Sequence, residues 1–226
     1  MKFAVIGTGK TGGKVVSVLD DEQVVGPFDS SHKPTANALK KADAAILFVP
    51  GSAAEELIEP LLESRIPAAW GTTGYEWPDK VNGRLKQQDV RWLKASNFSL
   101  GMNIVRRCLN IIGKSAPVLT EPEFQIHEIH HVHKQDAPSG TALSWEQWLG
   151  QEAQITSERK GDIKGIHRLE VNTDTESIKL EHQAHKREIF AEGAVWAATQ
   201  LVKMDIAPGL HDFSTIFDKV MQQQWK

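Results

Sequence analysis

The chain has one cysteine, Cys108, in 226 residues. One thiol closes no intrachain disulfide, and a cysteine-based zinc or iron–sulfur centre would lack its ligands. A reducing compartment is therefore expected. Nowhere do about 18 apolar residues run together, so no membrane span is predicted. The opening run Phe3-Ala4-Val5-Ile6 stops at Gly7 and is too short for the core of a secretory signal. Charge of one sign is scarce as well: 26 Lys and Arg stand against 29 Asp and Glu, a formal net charge of -3. Nucleic acid is thus not an expected partner, although a local basic pocket for a small anion fits this balance. Internal repeats and low-complexity linkers are absent. What is there, 40% hydrophobic and 24% charged residues, is a soluble globular composition. The protein is expected in the cytoplasm, as one large domain or two small ones.

The first half alternates short apolar runs with helical spacing. Phe3 to Ile6 reads as a strand, Gly7 to Gly13 as a turn, and Lys14 onward, with Val15, Val16, Val18 and Leu19, as a helix. Further strands are predicted at Val24-Val25, from Ala44 to Val49, from Pro67 to Trp70 and from Val90 to Leu93; helical spacing recurs at Leu57, Ile58, Leu61 and Leu62. Continuous apolar strands between helices indicate a parallel sheet covered on both faces, an α/β doubly wound Rossmann arrangement. After about residue 103 the pattern changes. Ile104 to Ile112 is helical, whereas Phe124 to His130, Ile166 to Val171 and Ser177 to His182 alternate with period two. That alternation predicts an open antiparallel sheet with one wet face. Helical spacing returns from Phe190 to Val202, and Ile216, Phe217, Val220 and Met221 close the chain. The expected division is 1–103, rejoined by about 200–226, and a smaller second domain, 104–199.

Gly7-x-Gly9-x-x-Gly12, after a strand and before a helix, meets the context of a dinucleotide-binding turn. Glycine lets backbone approach a pyrophosphate, and the helix start offers it unpaired N–H groups. Asp29 follows the second strand about 20 residues later, where a carboxylate accepts from a ribose diol and favours NAD. Ser30, Ser31, His32 and Lys33 follow at once and suit a 2′-phosphate instead, so both NADH and NADPH stay open. Asp29 also reads simply as a turn-forming aspartate.

Four histidines, His127, His130, His131 and His133, fall within seven residues and are followed by Lys134. Imidazoles move protons near neutral pH, and a lysine donates one or binds a carboxylate. Pro138-Ser139-Gly140-Thr141 then opens a helix with apolar Ala142, Trp145, Trp148 and Leu149, and such a start makes a carboxylate site. Two other readings compete. Ser139 can be only a helix cap with the histidines as ordinary polar residues, or His127, His131 and His133 can share a strand face as metal ligands.

The stretch Glu128-Ile129-His130-His131-Val132-His133-Lys134-Gln135-Asp136-Ala137-Pro138-Ser139-Gly140-Thr141-Ala142 resembles the central motif of the 4-hydroxy-tetrahydrodipicolinate reductase family, long called dihydrodipicolinate reductases. The resemblance extends through Gly71-Thr72-Thr73-Gly74, Asn97 to Asn103, Arg159 with Gly165 and His167, His182 with Ala184 and Arg187, and Phe190-Ala191-x-Gly193-Ala194. It implies an enzyme of lysine and diaminopimelate biosynthesis: a nicotinamide-dependent reductase with a Rossmann domain, a smaller mixed α/β substrate domain, no metal, and a homotetramer assembled through the second domain. By that resemblance His130 is the catalytic acid/base and Lys134 the proton donor. His131, Lys134, Ser139, Gly140 and Thr141 would hold the carboxylates of a small dicarboxylate substrate. The cofactor would lie against Gly7, Thr8, Gly9, Lys10, Thr11, Gly12, Gly13, Asp29, Phe48, Gly71, Thr72, Thr73, Ala95, Asn97 and Phe98.

The chain departs from the family pattern in its cofactor segment. Lys10 stands where a glycine is usual, and Thr11 and Gly12 where arginine and methionine are usual, so Gly12 and Gly13 compete for the third-glycine role. Leu47-Phe48-Val49 replaces Asp-Phe-Thr, Ser96 a frequent proline, and His185-Lys186 precede Arg187 in place of small residues. Other functions compatible with the sequence are reduction of another small dicarboxylate, a non-catalytic NAD(P)-binding regulator, and a histidine-cluster metal protein. The seven tryptophans, Trp70, Trp77, Trp92, Trp145, Trp148, Trp196 and Trp225, read as core and interface packing.

Overall fold

Four apolar residues in a row, Phe3–Ile6, form β1, and all four are buried. Only a strand covered on both faces can bury both sets of side chains, and the other inner strands do likewise. In chain order the first unit runs β1, α1 (Gly12–Val18), β2 (Val24–Phe28), α2 (Ala36–Leu39), β3 (Ala44–Leu47), α3 (Ala54–Ser64), β4 (Ala68–Trp70), α4 (Asp79–Gln87) and β5 (Arg91–Lys94). The second unit holds α5 (Leu100–Ser115), β6 (Glu123–His130), α6 (Gly140–Leu149), β7 (Gln154–Arg159), β8 (Ile166–Asn172) and β9 (Ser177–Gln183). The chain then returns to the first unit through α7 (Glu188–Lys203), β10 (Gly209–Asp212) and α8 (Phe213–Gln224). The computed structural model describes residues 1–224, so Trp225 lies outside the described residues. The units are Met1–Ser99 with the segment from Arg187 onward, and Leu100–Lys186. Helix α7, read from sequence as part of the second domain, packs in the first unit.

All pairings in the six-stranded sheet of the first unit are parallel, in the order β10-β5-β4-β3-β1-β2. The order reverses between β1 and β3, the switch point at which doubly wound sheets take ligands. Leu57, Ile58, Leu61 and Leu62 put the apolar stripe of α3 on this sheet, with Trp70 and Trp92 beneath it. Each such buried side chain contributes about 1.5–3 kcal/mol.

The second sheet has the order β7-β6-β8-β9. Strand alternation sends Phe124, Ile126, Leu169 and Val171 to the face covered by α5 and α6, against Leu109, Ala142, Trp145 and Leu149. The opposite face carries charge pairs, Arg168 with Glu181 at 2.9 Å and Lys179 with Glu170 at 3.1 Å. One expectation is corrected: the sheet is mixed, because β6 and β7 pair in parallel. Helix α6 lies between them in sequence, and a parallel pair needs such a crossover.

Candidate active site

At the carboxyl edge of the parallel sheet, successive loops leave the strands side by side. Gly7 N–H donates to Phe28 O at 2.8 Å, Phe48 N–H to Ile6 O at 2.9 Å, Gly71 N–H to Leu47 O at 2.7 Å and Ala95 N–H to Trp70 O at 2.9 Å. Phe48 is central: a Cβ on Gly7 would sit 2.2 Å from its carbonyl oxygen, and its ring lies edge-on to Phe98 at 5.7 Å. The glycine turn folds back just as tightly. A Cβ on Gly12 would lie 1.7 Å from Gly7 O, whereas one on Gly13 would only touch Thr8 O at 3.4 Å. Gly12 therefore fills the close-packing role. A Cβ on Gly9 would meet nothing within 4 Å, which leaves that backbone approachable. Thr11, the residue before α1, makes no side-chain cap, and the buried Thr72 hydroxyl has no partner. An unpartnered buried hydroxyl and an uncapped helix start fit a dinucleotide. Gly7, Thr8, Gly9, Lys10, Thr11, Phe48, Gly71, Thr72, Thr73, Ala95 and Phe98 border this edge, and Asn97 accepts from Ser99 N–H at 2.8 Å.

Asp29 closes a turn after β2. Its Oδ1 accepts from Ser31 N–H at 2.9 Å, Ser31 Oγ–H at 2.7 Å and His32 N–H at 3.0 Å. Ser31 foremost, then His32, hold this carboxyl below its usual range. Lys33 is paired with Glu56 at 2.7 Å.

The second cluster follows from strand register. The alternation that buries Phe124 and Ile126 carries Glu128 and His130 to the same face, at the end of β6. Antiparallel pairing sets His167 opposite Glu128, and parallel pairing sets Arg159 opposite His130. Arg159 donates to both Glu128 oxygens, Nη2 to Oε1 at 2.9 Å and Nη1 to Oε2 at 3.1 Å. His130 Nδ1–H donates to Glu128 Oε2. Burial alone would raise the Glu128 pKa, but hydrogen bonds from Arg159, Ser157 and His130 outweigh it and hold the carboxyl at about 2. Glu128 is thus a fixed anion. Burial pushes His130 below the usual histidine range despite that anion, so its resting ring is neutral with the proton on Nδ1 and a lone pair on Nε2. A Cβ at Gly165, where φ is +155°, would lie 3.0 Å from this Nε2, so glycine keeps it open.

Ser139 is 1% exposed, its N–H on Glu128 Oε1 at 3.3 Å and its Oγ capping Ala142 N–H at 3.2 Å. The same hydroxyl lies 3.3 Å from His167 Nε2. The α6 start beyond it is open, since a Cβ on Gly140 would meet nothing within 4 Å. Lys134 Nζ is 2.8 Å from Asp136 Oδ1. His131 is stationed beside His133, ring centres 6.3 Å apart, with its Nδ1 buried and unpartnered. The grouping of His127 with His131 and His133 is not formed: His127 bonds Thr156 at 2.8 Å. The metal-competent group among the described residues is Glu128, His130 and His167. Arg159 already neutralises that carboxylate, so this set is better suited to protons than to a cation.

A neutral histidine beside a lysine and an open helix start is the equipment for protonating a bound carboxylate-bearing molecule. Residues 101–217 match the family model described as Dihydrodipicolinate reductase, C-terminus. The 4-hydroxy-tetrahydrodipicolinate reductase of Haloarcula marismortui is 30% identical over 93% of this chain and 96% of that one. This chain belongs to the 4-hydroxy-tetrahydrodipicolinate reductase family. The reductase of Alkaliphilus oremlandii is 31% identical, covering 87% of this chain and 88% of its own. A dipicolinate-bound dihydrodipicolinate reductase from Paenisporosarcina sp. TG-14 shares the fold, with a TM-score of 0.75 at 17% identity over 96% of this chain and 99% of that one. Reductases of this family are pyridine-nucleotide-dependent oxidoreductases of lysine and diaminopimelate biosynthesis. No described helix is long and apolar enough to cross a membrane.

Within the reductase motif, three residues carry structure that sequence reading assigned no role: Glu128, Arg159 and His167. Glu128 was within reach, two residues before His130 on the same strand face. Arg159 and His167 come from other strands, and only the register of β6 with β7 and β8 brings them in.

Proposed function

We propose that this chain reduces 4-hydroxy-tetrahydrodipicolinate, through its dehydrated form, to tetrahydrodipicolinate. The supporting observation is the Arg159–Glu128–His130 chain, which leaves Nε2 open on a neutral ring near the α6 start. Bound in the first unit, the reduced nicotinamide supplies the hydride; the turn Gly7 to Gly13, Phe48, Gly71 to Thr73, Ala95, Asn97 and Phe98 would hold it. Substrate carboxylates are held by Lys134, His131 and the N–H groups of Gly140 and Thr141, while Ser139 shapes the helix start from beneath. Hydride addition leaves an enamine-like carbanion equivalent that needs a proton. Because resting His130 is neutral, the proton comes from the Lys134 ammonium or reaches Nε2 from solvent in each turnover.

NADH is the preferred cofactor in this reading. A 2′-phosphate would meet the anchored Asp29 carboxylate while Lys33 is engaged by Glu56, whereas a ribose diol donates to that carboxylate. The enzyme works in the cytoplasm as a homotetramer built through the second unit. His130→Gln and Lys134→Ala should each lower kcat by about 100-fold or more with NADH affinity unchanged. Near wild-type rates in both variants would remove these two roles.

A further inference from the structure

His167 is buried, and the proposed reaction passes no proton through it. It stands on β8 directly across the ladder from Glu128, with its ring edge-on to His130 at 5.0 Å and tilted over Trp145 at 5.7 Å. Its Nε2 lies 3.3 Å from Ser139 Oγ, and its Nδ1 is buried with no partner. The proton between Ser139 and His167 can be placed by counting. Ser139 Oγ already accepts from Ala142 N–H in capping α6, so the hydroxyl proton is free to donate, and Nε2 is the acceptor within reach. A protonated Nε2 would instead donate into the second lone pair of that oxygen, leaving both the serine proton and the Nδ1 lone pair without partners, against the single unpaired Nδ1–H of the other tautomer.

We infer that His167 is a positioning residue for the reductase reaction: as the Nδ1–H tautomer it accepts the Ser139 hydroxyl, fixing the helix start that receives the substrate carboxylate, and walls off His130. One residue thereby links the carboxylate subsite to the proton-transfer histidine. The titratable groups that face it are His130 and Glu128 on β6, His182 on β9 and Lys134 in the loop after β6. Burial foremost, then the neighbouring His130, bring its pKa to about 4, and neutrality through the working pH range follows. This role rests on the proposed reductase activity, but its first test does not need turnover.

Nitrogen-15 imidazole spectra of the wild-type protein, recorded from about pH 5 to pH 9, should show His167 protonated on Nδ1 and bare on Nε2 throughout. An Nε2–H tautomer, or a His167 titration inside that range, overturns the inference. Two variants separate its two contacts. His167→Phe keeps a ring against His130 but loses the acceptor, so dipicolinate should bind about tenfold more weakly, the loss of one buried hydrogen bond, with the limb of the kcat/KM profile that His130 sets in place. His167→Gln keeps an acceptor at similar reach but loses the ring. Dipicolinate affinity should then stay within about threefold of wild type, while the limb of the kcat/KM profile that His130 sets moves to higher pH as His130 becomes better solvated. Equal loss of dipicolinate affinity in both variants contradicts the inference. Absence of wild-type turnover combined with the stated tautomer would instead remove the reductase reading and leave the His167 to Ser139 bond intact.

Discussion

Glu128 is the residue on which the site's charge depends. It touches no substrate in the proposed reaction, yet it fixes the tautomer of His130 and is itself fixed by Arg159. Glu128→Gln removes the anion that partly offsets burial at His130, so the His130 pKa should drop further, the limb of the kcat/KM profile that His130 sets should move to lower pH, and kcat should fall by about 100-fold. An unchanged pH profile would show that the carboxylate is not the histidine's partner. Asp136 makes the opposite prediction. Its carboxylate sits on Lys134, which chiefly holds its pKa below the usual range, and in the proposed reaction it yields that lysine to a substrate carboxylate. Such exposed pairs are worth about 0.2–1 kcal/mol, so Asp136→Asn should lower the KM for the dicarboxylate about two- to fivefold with kcat nearly constant. A raised KM would mean that Asp136 supports the substrate rather than competing with it. His130, Lys134 and the α6 start could be read from the motif because they are close in sequence. Arg159 lies 31 residues from Glu128, and its function is a property of strand register alone.

At the scale of elements, the inner strands and the edge strands β2 and β9 were legible, and the edge strands β7 and β10 were not. Phe3 to Ile6 and Ala44 to Leu47 are buried on both faces, so their sequences are continuously apolar. By contrast β7, Gln154–Arg159, and β10, Gly209–Asp212, are edge strands with little buried side chain. Their sequences carry neither a continuous apolar run nor a clear alternation, and the parallel pairing of β7 followed from α6 rather than from strand composition. The glycine turn shows the same limit: Gly12 and Gly13 are equivalent in sequence, and only the fold brings Gly12 so close to Gly7 that an added Cβ would lie 1.7 Å from Gly7 O. Gly12→Ala should therefore cost about 1–3 kcal/mol of stability through overpacking and weaken NADH binding, whereas Gly13→Ala should leave both nearly unchanged. Thermal melts and NADH titration of the two variants check this, and equal effects would contradict the assignment.

Across the whole molecule, charge is nearly balanced, yet the second unit buries groups that resist protonation. His130, His167 and His182 are all held below the ordinary histidine value of 6.5, chiefly by burial. Between that value and about 4, where His167 titrates, the unfolded chain binds protons that the folded chain refuses, so stability falls as pH falls. Below the ordinary glutamate value of 4.5, Glu128 adds to the loss until its own pKa near 2. The melting temperature should drop steadily on acidification across this range, and His167→Phe should flatten the upper part; a flat wild-type profile would contradict the charge states assigned to the site. The central claim is the reaction itself. Its most direct measurement is the oxidation of NADH and NADPH with substrate freshly generated from pyruvate and aspartate semialdehyde by the preceding synthase. Steady turnover is expected with both substrate precursors present, faster with NADH than with NADPH, and none when either precursor is omitted. Tight NADH binding without any substrate-dependent oxidation would contradict it and leave a cofactor-binding protein of reductase fold.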